Sequence, residues 1–197
     1  MFYEATGNYY NDSSKKVMMR VFVAVEISDE DVISSIVKFQ SKIKINAKPV
    51  LPQNLHFTLQ FLGEISEDSV EKIRQALKSI KFSPFKINFK GLGAFPNMKS
   101  PRVIWIGIDD FGASILKDLA KKIENLLFPL GFTIDKPFKP HLTVFRIKNK
   151  IDNINKELEK FESRDFGFQQ ISSIKLKQSV LTPQGPVYSD IEEVRAT

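Results

Sequence analysis

Two eight-residue stretches of this chain, NLHFTLQF at 54–61 and KPHLTVFR at 139–146, carry the same order of side chains: histidine, apolar, threonine, apolar. His141 follows His56 by 85 residues, close to half of the 197-residue chain. A repeat at that offset implies two related lobes, each contributing one strand. Alternate side chains of a strand share a face, and residues two apart are separated by about 6.5–7 Å along it. Leu55, Phe57, Leu59 and Phe61 are therefore expected on the core face, with His56, Thr58 and Gln60 opposite. Leu142 and Val144 are expected inward, with His141 and Thr143 opposite. Only six threonines occur in the chain. A given histidine would have one two residues on by chance about 0.03 of the time, and both would about 0.001 of the time.

These two are the only histidines, and there is no cysteine. Disulfide scaffolds, thiolate zinc sites, iron–sulfur clusters and cysteine nucleophiles are excluded. With 29 basic against 23 acidic residues the formal charge is +6, a mild bias toward polyanions such as RNA. No run of 18 apolar residues is present, so no membrane span is expected. Residues 1–17 have no apolar signal region and read as a disordered extension, an expression remnant or an overlong start. Residues 18–197 are expected to form a single bilobal domain, and a cytoplasmic location is the default.

The rest of the chain reads as mixed α and β structure. Arg20–Ile27 is a β-branched apolar strand, followed by Ser28 as N-cap and a helix on Ile33, Ile36, Val37 and Ile43. Asn54–Leu62 is a strand, and Ser66 caps a helix on Val70, Ile73, Ala76, Leu77 and Ile80. Pro84–Phe95 and Arg102–Ile108 read as paired strands, and a long helix carries Ile115, Leu119, Ile123 and Leu126. After the strand His141–Ile147 come a helix over Asp152–Phe161 and closing strands Ile171–Leu181 and Val187–Val194 joined by the turn TPQGP.

Two strands facing one cleft would offer two imidazoles and two hydroxyls to one small anion. That set suits phosphodiester hydrolysis. One imidazole takes a proton from the attacking water and the other gives one to the leaving oxygen, both near neutral pH. Hydroxyls and any nearby Arg or Lys meet the charge on the non-bridging oxygens. The scheme requires no metal and no cofactor.

NLHFTLQFLGE (54–64) and PFKPHLTVFR (137–146) resemble the two signatures of the two-histidine (2H) phosphoesterases. More narrowly they are similar to those of the bacterial and archaeal RNA 2′,3′-cyclic phosphodiesterases, first described as 2′-5′ RNA ligases. MRVFVAVEI, GLGAFPNMKSPRVIWIGI (91–108) and SVLTPQGPVYSDIEE (179–193) extend the resemblance over about residues 19–193. It implies an α+β fold with pseudo-twofold lobes, antiparallel sheets lining a central cleft and helices outside. It implies metal-independent hydrolysis of RNA or nucleotide 2′,3′-cyclic phosphate to 2′-phosphate, reversible toward a 2′-5′ bond. By motif position His56 corresponds to the proton donor, His141 to the proton acceptor, Thr58 and Thr143 to phosphate-binding threonines, and Arg146 to a basic residue after the second motif. The implied partner is RNA with a 2′,3′-cyclic phosphate end, tRNA halves among the candidates, with a monomer as the default.

Strict alternation puts Arg146 on the face of Leu142 and Val144, so it reaches a phosphate only if the strand ends or bulges near Phe145. Residues 136–150 hold Lys136, Lys139, Arg146, Lys148 and Lys150 and no acid, a run that suits RNA steering or a solvated edge. Phe145 shares the His141 face by parity, yet with 17 phenylalanines in the chain core packing is the better expectation for it, as it is for Trp105. A non-catalytic module that binds RNA ends is the competing class, disfavoured because a binder needs no pair of titratable groups.

Overall fold

The β-branched run near the N-terminus forms the centre of β1 (Met18–Glu26), the first of nine strands in a computed structural model that describes residues 17–134, 136–148, 154–161 and 163–197. The order continues α1 (Glu30–Lys42), β2 (Lys48–Pro49), β3 (His56–Ser66), α2 (Glu67–Leu77), β4 (Phe85–Phe95), β5 (Val103–Ile108) and α3 (Asp110–Leu127). It ends with β6 (Leu142–Arg146), α4 (Ile154–Glu159), β7 (Asp165–Ile171), β8 (Ser173–Thr182) and β9 (Gly185–Arg195). One sheet has the order β3-β1-β8-β9 and the other β2-β6-β5-β4-β7, antiparallel at every described pairing. The fold is α+β, as expected. The internal repeat is visible in the elements: apart from the two-residue β2, the chain runs β1-α1-β3-α2 and, after β4, β5-α3-β6-α4, and each histidine motif lies at the strand between the two helices of its set.

Each helix buries one stripe. Val32, Ile36 and Phe39 are buried on α1, Val70, Ile73 and Leu77 on α2, and Leu116, Leu119, Ile123 and Leu127 on α3. The core faces of the two sheets meet where Phe57 of β3 stacks on Phe89 of β4, ring centroids 6.0 Å apart. One continuous apolar cluster results, and the opposite faces of both sheets are left for the cleft. Polar ties cross the same region. Gln169 of β7 accepts from the Ser28 and Asp29 amides and donates to the Glu26 carbonyl, fixing the end of β1 against the other sheet. No described helix is long and apolar enough to cross a membrane.

Several local expectations are corrected. Asp29, not Ser28, caps α1, its carboxylate accepting from the Asp31 and Val32 amides. The expected single strand from Ile171 begins earlier and divides at Ser172: β7 joins one sheet and β8 the other. Gly167, at φ +107°, interrupts the alternation of β7 and hid it among polar glutamines. Residues 1–16, Lys150 and the start of the Asp152–Phe161 helix lie outside the described residues.

The largest correction concerns parity. β3 pairs with β1 through Ala24–Thr58 and then Val23–Gln60, so Leu59 is an extra residue, a β-bulge. From there the faces exchange. Gln60 is 3% exposed and Phe61 50% exposed, the reverse of the expectation. Among the described residues neither amide atom of Gln60 finds a hydrogen-bond partner. Gln60→Met, which keeps the shape and removes both unpaired atoms, is expected to raise stability by about 1–3 kcal/mol. Urea denaturation measures this; a loss of stability would show that the amide is satisfied in solution.

Candidate active site

The cleft between the sheets encloses about 660 Å³, and His56, Thr58, His141, Thr143 and Arg146 all line it. His56 and Thr58 share a face of β3 before its bulge. On the other side His141 immediately precedes β6 and Thr143 lies within it. β6 carries the same irregularity as β3. Its pairing with β5 passes from Trp105–Thr143 to Ile104–Phe145, leaving Val144 as the extra residue. Val144 follows Leu59 by the same 85 residues that separate the histidines. The bulge buries both Val144 and Phe145 and turns Arg146 to the cleft side, where it pairs with the cleft-lining Val103 and Lys48. The condition set for Arg146 is thus met. Phe145 is core, 6.1 Å from Phe39 by ring centroids. Within the basic run only Arg146 of the described residues lines this cleft; Lys136 lines a separate groove beside α3.

Both imidazoles are oriented alike. His56 Nδ1 lies 2.8 Å from the Asn54 carbonyl and His141 Nδ1 2.7 Å from the Lys139 carbonyl. A carbonyl only accepts, so Nδ1 carries the proton in each and Nε2 remains for chemistry. Aromatic neighbours hold the rings. By ring centroids Phe22 and Tyr188 lie 5.0 and 5.2 Å from His56, and Phe95 lies 4.9 Å from His141 in a T-shaped arrangement. Phe95 in turn packs on Trp105 at 5.4 Å. Trp105 is therefore a half-buried support on the cleft side, not the core residue expected. Gly93 is required beneath it, since a Cβ there would meet the indole at 2.1 Å.

Burial lowers the pKa of His56 to about 4 against an ordinary 6.5, and the charges of Lys177 and Arg146 push the same way. Its bond to Asn54 and the carboxylate of Glu26 oppose them. His141 is also lowered, by burial first and Arg146 second. With both pKa values depressed, the free pair is neutral at pH 7, and an anion bound between the rings favours protonation of one of them.

The sequence reading missed the charged floor beside His56. Lys175 and Lys177 of β8 each bridge Glu26 of β1 and Asp190 of β9, and Lys177 is only 4% exposed. Burial works to raise the carboxyl pKa values of Glu26 and Asp190, but the two lysines overcome it and hold both low. Members in direct contact lie up to 151 residues apart, and no local pattern joins them. Among the described residues no three His, Cys, Asp or Glu side chains gather into a metal-binding group.

Two sheets that each deliver an imidazole and a hydroxyl to one cleft, with an arginine beside them, define a phosphoesterase of the two-histidine class. The chain belongs to the family described as LigT like Phosphoesterase, which it matches twice, over residues 25–105 and 106–188. It is 45% identical over 175 residues to an RNA 2′,3′-cyclic phosphodiesterase of Archaeoglobus fulgidus, covering 88% of this chain and 98% of that one. It is 39% identical over 182 residues to one of Aquifex aeolicus, covering 89% and 96%. The crystal structure of a Thermus thermophilus protein superposes with a TM-score of 0.73 at 31% identity, covering 90% of this chain and 97% of that one. Escherichia coli LigT in its apo form shares the fold, with a TM-score of 0.75 at 21% identity over 91% and 98%.

Proposed function

We propose that this chain hydrolyses RNA or nucleotide 2′,3′-cyclic phosphates to 2′-phosphates by metal-independent acid–base catalysis. The observation that carries the reading is the convergence of both histidines, both motif threonines and Arg146 on one cleft, each imidazole held through Nδ1 by a main-chain carbonyl. The close relatives named as RNA 2′,3′-cyclic phosphodiesterases support the substrate class. His141 Nε2 accepts a proton from water as the water attacks phosphorus. His56 gives a proton to the departing 3′ oxygen. Thr58, Thr143 and Arg146 hold the non-bridging oxygens and stabilise their growing charge. The reading extends to a cytoplasmic monomer acting on RNA ends such as tRNA halves, and the +6 charge favours that encounter.

The test is product analysis. A 2′,3′-cyclic-ended RNA incubated with the protein in EDTA is expected to yield only a 2′-phosphate. Loss of turnover in EDTA refutes the metal-free step, and a 3′-phosphate refutes the choice of leaving oxygen.

The pH dependence follows from the depressed imidazoles. Turnover needs one ring protonated and the other neutral, so kcat/KM is expected to be bell-shaped with its maximum below pH 6.5. The bound cyclic phosphate is an anion and stabilises the imidazolium, so the alkaline limb of kcat falls at higher pH than that of kcat/KM. Initial rates across about pH 4–9 measure both limbs; a flat profile counts against the pair.

A further inference from the structure

Asn54 engages both of its polar ends on opposite sides. Its main-chain carbonyl accepts from His56 Nδ1 at 2.8 Å. Its side-chain amide donates to the carbonyl of Pro186 at 3.2 Å, 132 residues away at the tip of the β8–β9 hairpin. The second repeat supplies the contrast. There the carbonyl of Lys139 orients His141 at 2.7 Å while the Lys139 side chain is exposed. Orienting an imidazole through a main-chain carbonyl thus requires no particular side chain, and the carboxamide of Asn54 is left to act on the hairpin alone.

The hairpin is a wall of the cleft. Thr182, Gln184, Gly185, Pro186, Val187 and Tyr188 line it, and Tyr188 stands edge-on to the His56 ring. Its turn is closed by the Thr182 hydroxyl donating to the Gly185 carbonyl at 2.7 Å. Lys48 holds the tip from the other sheet by donating to the Gln184 carbonyl, and Lys48 is the strand partner of Arg146. The tip is therefore fastened at two points. One is beside the arginine and the other, through Asn54, is beside the imidazole.

We infer that Asn54 is a positioning residue whose carboxamide fixes the hairpin wall and the His56 imidazole in one register. The inference rests on the phosphoesterase reading of His56. Proton transfer is sensitive to displacements below about 1 Å, and a wall free to shift against the ring loses alignment in the transition state more than it loses ground-state contact.

The experiment measures kcat, KM and the pH profile of Asn54→Ala, Asn54→Gln and Asn54→Asp on a 2′,3′-cyclic nucleotide, with the folded fraction taken from circular dichroism. Asn54→Ala is expected to lower kcat per folded molecule about tenfold with little change in KM, the scale of one hydrogen bond. Asn54→Gln keeps a donor and recovers part of the loss. Asn54→Asp faces the Pro186 carbonyl with an acceptor and lowers kcat as alanine does. Its new charge beside His56 also moves the profile to higher pH. Wild-type kcat in Asn54→Ala, or a loss matched by the unfolded fraction, overturns the inference. His56→Ala runs alongside: full activity there instead refutes the site reading itself.

Discussion

His56→Ala and His141→Ala are each expected to lower kcat by about 10²–10⁴-fold on a 2′,3′-cyclic phosphate while leaving the fold intact, the usual contribution of a positioned acid or base. Folding should survive because both rings sit at the cleft and not in the apolar cluster behind it. The bell should also reduce to a single titration in each variant, since one ionising ring remains. The two roles separate chemically. A substrate with sulfur at the 3′ bridging position leaves without needing a proton, so it should restore His56→Ala far more than His141→Ala. Equal rescue, or wild-type turnover in both variants, refutes the assignment of donor and acceptor.

Arg146→Ala is expected to cost about 10²–10³-fold in kcat, the scale found for removing a donor aimed at developing charge. The guanidinium acts on both imidazoles, lowering each, so its removal lets both pKa values rise and moves the whole pH profile toward alkaline values. Arg146→Lys keeps the charge without the two-pronged donor and should fall between alanine and wild type. An unchanged kcat with an unmoved profile would leave Arg146 as a charged strand end only.

The pairing of His56 with Thr58 and of His141 with Thr143 is legible in the amino-acid order alone, because alternation over two residues is a local property of an extended chain. The helices are legible for the same kind of reason: their stripes repeat within a few turns. Parity beyond the threonines is not. Leu59 and Val144 become extra residues only against particular partners on β1 and β5, and a bulge is a property of the pairing. Hence Phe61 and Gln60 exchange faces, while Arg146 reaches the cleft only because β6 bulges.

By itself, then, the sequence determined that two related halves each present an imidazole and a hydroxyl, and that acid–base chemistry on a phosphate is the fitting use of them. Tertiary structure alone decided what surrounds that set. It divided β7 from β8 between sheets and gathered the Glu26, Lys175, Lys177 and Asp190 cluster beside His56. It brought the hairpin tip onto Asn54. These contacts join residues that share no periodicity and lie as much as 151 positions apart, so only the closure of both sheets around one core brings them together.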